Sequence, residues 1–260
     1  MKSIIFAKRI TKEVLRDPII YIFCLGFPVL MLSMFALISV YAKQAAFELK
    51  SLVPGVTMFS FTFVMLIVSM QVSKDRTSFL LKRLYSSPMK ARHFVFGYAL
   101  PCVVIGILQA FVCIACGALF GVILDQPYFG FGAAMLLVLS QMPMLLICVF
   151  GGILLGSCLN DKAAPGVTSA LITVSGLLGG CWMPLDVMGK LETICRFLPF
   201  YPSVYWGRII TGALHTQTGE AAMPYVWDRV ASLGIMPVAV FLVAAILLSF
   251  VAFRAQMQEK

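Results

Sequence analysis

Residues 74–93 read KDRTSFLLKRLYSSPMKARH, and the fold follows from what this stretch is and what it interrupts. It carries Lys74, Arg76, Lys82, Arg83, Lys90 and Arg92 against a single acid, Asp75, and strongly apolar runs flank it on both sides. Ser78 to Tyr85 contains neither Gly nor Pro, and Leu80, Leu81, Leu84 and Tyr85 recur at helical spacing. Pro88 closes the periodic stretch, because its ring cannot be followed by a regular turn. The pattern predicts a short amphipathic helix across one mouth of a membrane protein, where a soluble partner finds a basic handle.

Outward from that stretch, 61% of the 260 residues are apolar and 12% are charged. A soluble domain of this length cannot cover so much apolar surface, and one anchor cannot account for apolar runs spread along the whole chain. The net charge of +9 does not mark a nucleic-acid binder, because the cations cluster at the ends of apolar runs. Of the 8 cysteines, Cys24, Cys102, Cys113, Cys116, Cys148 and Cys158 sit inside apolar runs and read as small hydrophobic filler. Cys181 and Cys195 fall outside them, and a bridge between these two is left open.

Residues 1–17 form an amphipathic helix. Ile4, Phe6, Ala7, Ile10, Thr11, Val14 and Leu15 share one half of the wheel, and Lys8, Arg9, Lys12, Glu13, Arg16 and Asp17 share the other. Such a helix lies in the headgroup plane with Lys8, Lys12 and Arg16 facing anionic lipid or a partner. Residues 18–253 then make the membrane domain, and 254–260 a short polar tail. Six spans are expected: Ile19 to Tyr41, Val53 to Val72, Tyr98 to Leu124, Phe131 to Leu159, Ala163 to Cys181 and Val230 to Phe253. Six spans place both termini on one side. Fourteen of the 20 lysines and arginines fall there, which makes that side, and both termini, cytoplasmic.

Residues 183–229 form a second informative region. Leu191 to Leu214 is apolar and aromatic but broken by Pro199 and Pro202 into pieces too short to cross separately. The reading preferred is a re-entrant helical hairpin entering from the outer side, its backbone covered by neighbouring spans. One more full span would set Arg196 and Arg208 at membrane depth.

Catalytic constellations are missing from the sequence. There is no GxxxxGK[ST] phosphate loop, no HExxH and no GxSxG, and the two histidines, His93 and His215, are far apart. No catalytic residue and no metal site are assigned. Gln71, Gln109 and Gln141 lie within spans, where they line a passage for an amphipathic substrate or hydrogen-bond one span to another. Three GxxxG patterns, Gly117 to Gly121, Gly152 to Gly156 and Gly176 to Gly180, suit close helix packing or a dimer seam. No acid or base stands at mid-depth in a clear span, which argues against ion coupling.

With these parts in place, the chain resembles the membrane-spanning permease subunit of type-2 ABC exporters: all-α, six spans, an N-terminal interfacial helix, a coupling helix and a re-entrant outer hairpin. The loop signature is matched by Asp75, Arg76, Thr77, Ser78, Leu80, Lys82, Arg83, Leu84, Ser86, Ser87 and Pro88, followed by Gly97. Family members often carry Glu-x-Gly where this chain has Asp75 to Ser78. The outer signature is matched by Gly180, Trp182, Pro184 and Asp186, then Pro199, Trp206, Gly207 and Arg208. The resemblance implies that residues 74–93 dock on a separate ABC-type ATPase subunit, braced by the N-terminal helix. It implies a second permease copy, identical or related, in the inner membrane, with ATP and Mg on the ATPase and no cofactor on this chain. The cargo it suggests is a hydrophobic or amphipathic compound such as a drug, lipid or antibiotic. A gradient-driven carrier or channel without an ATPase, and a polysaccharide exporter, remain the alternatives.

Overall fold

The helix over Leu49–Thr77, α4, is buried along its whole apolar length, and the other elements are laid around it. The computed structural model describes residues 2–42, 47–78, 81, 90–182, 185, 190–215 and 223–258. Before α4 come α1 (Lys2–Val14), a short α2 (Pro18–Ile20), a π-helical turn (Tyr21–Gly26) and α3 (Phe27–Ala42). After it come α5 (Ala91–Ile123), α6 (Phe131–Cys158) and α7 (Ala163–Leu178). Two short helices follow, α8 (Lys190–Cys195) and α9 (Phe200–Thr211), then a two-residue ladder of β1 (Leu214–His215) and β2 (Met223–Pro224). Helices α10 (Arg229–Leu233) and α11 (Ile235–Gln258) complete the chain.

Five of these segments are long and apolar enough to cross a bilayer: Tyr21–Tyr41, α4, α5, α6 and Arg229–Met257. The expected fifth span is shorter than the sequence suggested. Its helix, α7, has 16 residues, about 24 Å at 1.5 Å per residue. It stops because Gly180 adopts φ 62, a left-handed conformation that glycine enters without steric cost. The second and third spans run further than their apolar cores, so both helices project beyond them towards residues 78–90.

Helix α4 is held mainly by α6, α5 and α7. The seam with α6 is made by two glycines one turn apart. A Cβ on Gly152 would lie 2.6 Å from the carbonyl oxygen of Met65, and one on Gly156 would lie 2.5 Å from that of Ser69. The Gly152 to Gly156 pattern therefore brings two helices of one chain into backbone contact. Polar residues are tolerated inside α4 because Thr57, Ser60, Thr62, Ser69 and Ser73 return their hydroxyls to carbonyls three or four residues earlier.

Pro54 lies inside α4 and cannot donate to the carbonyl of Lys50. The Thr211 hydroxyl of α9 takes that place at 2.7 Å. Helix α9 lies against α6, α4 and α7, and its N-terminal neighbour α8 is only 6 residues long. Neither is long enough to cross a bilayer. Arg208 is 1% exposed and donates to the carbonyls of Gly180, at 2.7 Å, and Ser51, at 3.4 Å. Arg196 stays at the rim, paired with Glu192 at 2.7 Å. Cys181 and Cys195 are both buried and are free thiols.

Candidate functional site

The end of the bundle that leads into residues 78–90 gathers four helices around the last turn of α4. Helix α1 buries Phe6, Ala7, Ile10 and Val14, the stripe expected from its periodicity, but against α5 of the bundle. The Phe6 ring stands edge-on to Phe94 and Tyr98, at 5.5 and 5.1 Å. It fits there because Gly97 has no side chain: a Cβ at that position would lie 2.3 Å from the ring. Ile4 and Leu15, read as part of the apolar half, are exposed instead, as are Lys8, Lys12 and Arg16. Those three cations border a shallow depression with Ile5, Arg9 and Glu13.

Asp75 is 4% exposed, the one buried acid among the described residues. It accepts a hydrogen bond of 2.6 Å from the Tyr98 hydroxyl of α5 and a longer one, 3.4 Å, from Arg9 Nη2 of α1. Arg9 also donates to Glu13 at 2.6 Å, and Gln71 of α4 donates to the other Glu13 oxygen at 2.7 Å. Partial burial of Arg9 works against its charge. The hydrogen bond to Glu13 and the charges of Asp75 and Glu13 outweigh it and raise its pKa. An open polar crevice of about 490 Å³ runs beside this network, between α1 and the end of α4.

Arg76 turns the other way. Its guanidinium donates to the carbonyls of Ser157 and Leu159, the latter at 2.6 Å, at the C-terminal end of α6. Carbonyls there have no intrahelical partner, and a cation is doubly favoured by their partial negative charge. Gln256 of α11 donates to the same Ser157 oxygen. The adjacent residues Asp75 and Arg76 thus tie the last turn of α4 to α1 and α5 on one side and α6 on the other.

Leu80, Lys82, Arg83, Leu84 and Pro88, expected to make the docking helix, lie outside the described residues, and so do Pro184 and Asp186 of the outer signature. Leu81 is described and fully buried. At the opposite end, Gly180 receives Arg208, Trp182 packs edge-on to Phe59 at 5.2 Å, and Pro199 begins α9. Gln109 and Gln141 are fully buried and donate to α4 carbonyls, those of Ser60 at 3.1 Å and Pro54 at 3.0 Å. Gln71 is not near them; it belongs to the Glu13 network.

Sequence reasoning passed over Arg9, Glu13 and Tyr98, the partners of Asp75 and Gln71. The spacing of Arg9 and Glu13, four apart on one helix, was the available signal. No group of three or more potential metal ligands occurs among the described residues. A comparison with curated proteins returns no match. A family model described as ABC-2 family transporter protein matches residues 41–253, from the end of α3 through the last span. That match covers most of the chain, and the chain belongs to the ABC-2 transporter family as a membrane-spanning permease subunit.

Proposed function

We propose that this permease works as an ATP-driven exporter, coupled through residues 74–93 to a separate ABC-type ATPase subunit that holds ATP and Mg. In this reading two copies of the permease, or this chain and a related one, form the passage in the inner membrane. The observation that carries the proposal is the double anchorage of Asp75 and Arg76. A loop that only set orientation needs cations; it does not need its base buried, hydrogen-bonded and tied to α1, α5 and α6. Lys82 and Arg83 then contact an acidic cleft on the ATPase, and Lys8, Lys12 and Arg16 brace the same contact from α1. The many phenylalanines and methionines, 21 and 15, favour a hydrophobic or amphipathic cargo over a polymer.

The test is charge reversal of the pair, Lys82→Glu with Arg83→Glu, in the reconstituted complex. Substrate-stimulated ATP hydrolysis and efflux are expected to fall together, with the permease still inserted and folded. Wild-type efflux and stimulation in that variant would sink the docking assignment. Purification of the wild type is expected to bring down a protein carrying a Walker phosphate loop.

A further inference from the structure

The first turn of α5 closes the downstream end of residues 74–93, as Asp75 and Arg76 close the upstream end. The first N–H groups of a helix have no intrahelical acceptor, and the side chain of the residue before the helix usually supplies one. Here that residue is Lys90, whose ammonium has no acceptor to give. The acceptor comes from the other direction. His93 Nδ1 accepts the backbone N–H of Lys90 at 3.0 Å, while the His93 N–H donates to the Lys90 carbonyl at 2.8 Å. This is the returning half of a capping box, with an imidazole where Glu or Gln ordinarily stands.

The imidazole changes what the cap responds to. An Nδ1 that accepts carries no proton, so the ring is neutral with its hydrogen on Nε2. Histidine is the side chain suited to changing charge between about pH 5 and 8. With both nitrogens protonated neither accepts, and the ring is a cation at the positive end of a helix dipole. The surroundings offer that cation little. Lys90 and Arg92 on the same turn are positive, and so is Arg254 of α11. Helices α3 and α6 carry no charged residue. The acids that the packed elements bring to this end, Asp75 of α4 and Glu13 of α1, are engaged with Tyr98, Gln71 and Arg9. The other of the 2 histidines, His215, is in β1.

We propose that His93 is an acid-sensitive clasp on α5: neutral, it fixes the downstream end of residues 74–93, and protonated, it lets go. The clasp is independent of the transport reading. That its release loosens the hold of this stretch on an ATPase as the cytosol acidifies rests on that reading.

Histidine-selective ¹⁵N labelling of the His215→Gln protein in lipid nanodiscs leaves one ring to observe. At about pH 8 its Nδ1 is expected to be bare and its Nε2 protonated. Hydrogen exchange at the Lys90 amide, normalised to the intrinsic rate at each pH, is expected to quicken about two- to thirtyfold by about pH 5.5, in step with ring protonation. His93→Gln keeps an acceptor that does not titrate and is expected to exchange slowly at both values. His93→Ala is expected to exchange fast at both. A proton on Nδ1 at the higher pH overturns the proposal. So does wild-type exchange that ignores pH, or a rise that His93→Gln shares. In the reconstituted complex, substrate-stimulated ATP hydrolysis is expected to fall more steeply on acidification for wild type than for His93→Gln. Parallel profiles overturn the regulatory role. Wild type without stimulation at any pH counts against the coupling proposal instead, and the exchange data then decide the clasp.

Discussion

Tyr98 and Arg76 show what single side chains contribute at the basic end of the bundle. Tyr98→Phe removes the hydroxyl given to a carboxylate that is 4% exposed, so the loss is set by the desolvated acceptor rather than by the bond alone. A cost of about 1–3 kcal/mol is expected, read as a lower melting temperature of the detergent-solubilised protein. Arg9→Ala is expected to cost less, because Arg9 is a third exposed and its contact to Asp75 is the longer one. Arg76→Ala strips both α6 carbonyls of their cation and is expected to cost about 1–3 kcal/mol. Arg76→Lys is expected to recover only part of that, since an ammonium cannot reach Ser157 and Leu159 with the geometry of a planar fork. Equal melting temperatures for Arg76→Lys and wild type would show that charge alone serves there.

At the scale of elements, the α4–α6 seam makes the sharpest forecast. Gly156→Val places its Cβ against the Ser69 carbonyl and Val72, neither of which is the free end of a flexible side chain. Overpacking of about 1–3 kcal/mol is expected, again as a loss of thermal stability. Gly166→Ala, where a Cβ in α7 meets nothing within 4 Å, is expected to gain up to about 1 kcal/mol from helix propensity. The contrast also marks how much was legible beforehand. Apolar runs were enough to find every long helix, because twenty apolar residues have few other fates. The face of α1 was legible from its period, and its contact with Phe94 and Tyr98 was not, since periodicity says which side is covered without saying by what. The three GxxxG patterns looked alike; only packing singles out Gly152 and Gly156 as the pair pressed on another backbone. Nor does hydropathy separate α4, wholly enclosed, from the span of α11, which is mostly exposed. Of the candidate site, Asp75, Arg76 and Gln71 were named from the chain. Their partners come from residues 9, 13, 98, 157 and 159, contacts across the sequence that no local pattern encodes.

For the whole molecule, coupling to an ATPase depends on which side of the membrane carries residues 74–93. The cytoplasmic side rests on the count of lysines and arginines along the chain, fourteen of 20 on that side if six spans cross. One thiol can measure it. Of the 8 cysteines, six are buried, Cys116 is half-buried within α5, and Cys158 is exposed. Cys158 is the last residue of α6, between the two carbonyls that Arg76 caps, so it reports on the same end as the basic stretch. A maleimide too polar to cross lipid is expected to label the native protein in inside-out membrane vesicles and to leave it unlabelled in right-side-out ones. Cys158→Ser is expected to abolish the labelling while the remaining thiols stay silent until the protein is unfolded. The cap makes the position informative in a second way. Arg76→Ala should loosen the end of α6 and raise the labelling rate in inside-out vesicles without changing its sidedness. Labelling from the outer face would put Lys82 and Arg83 beyond the reach of any cytosolic ATPase, and the coupling proposal would fall with it.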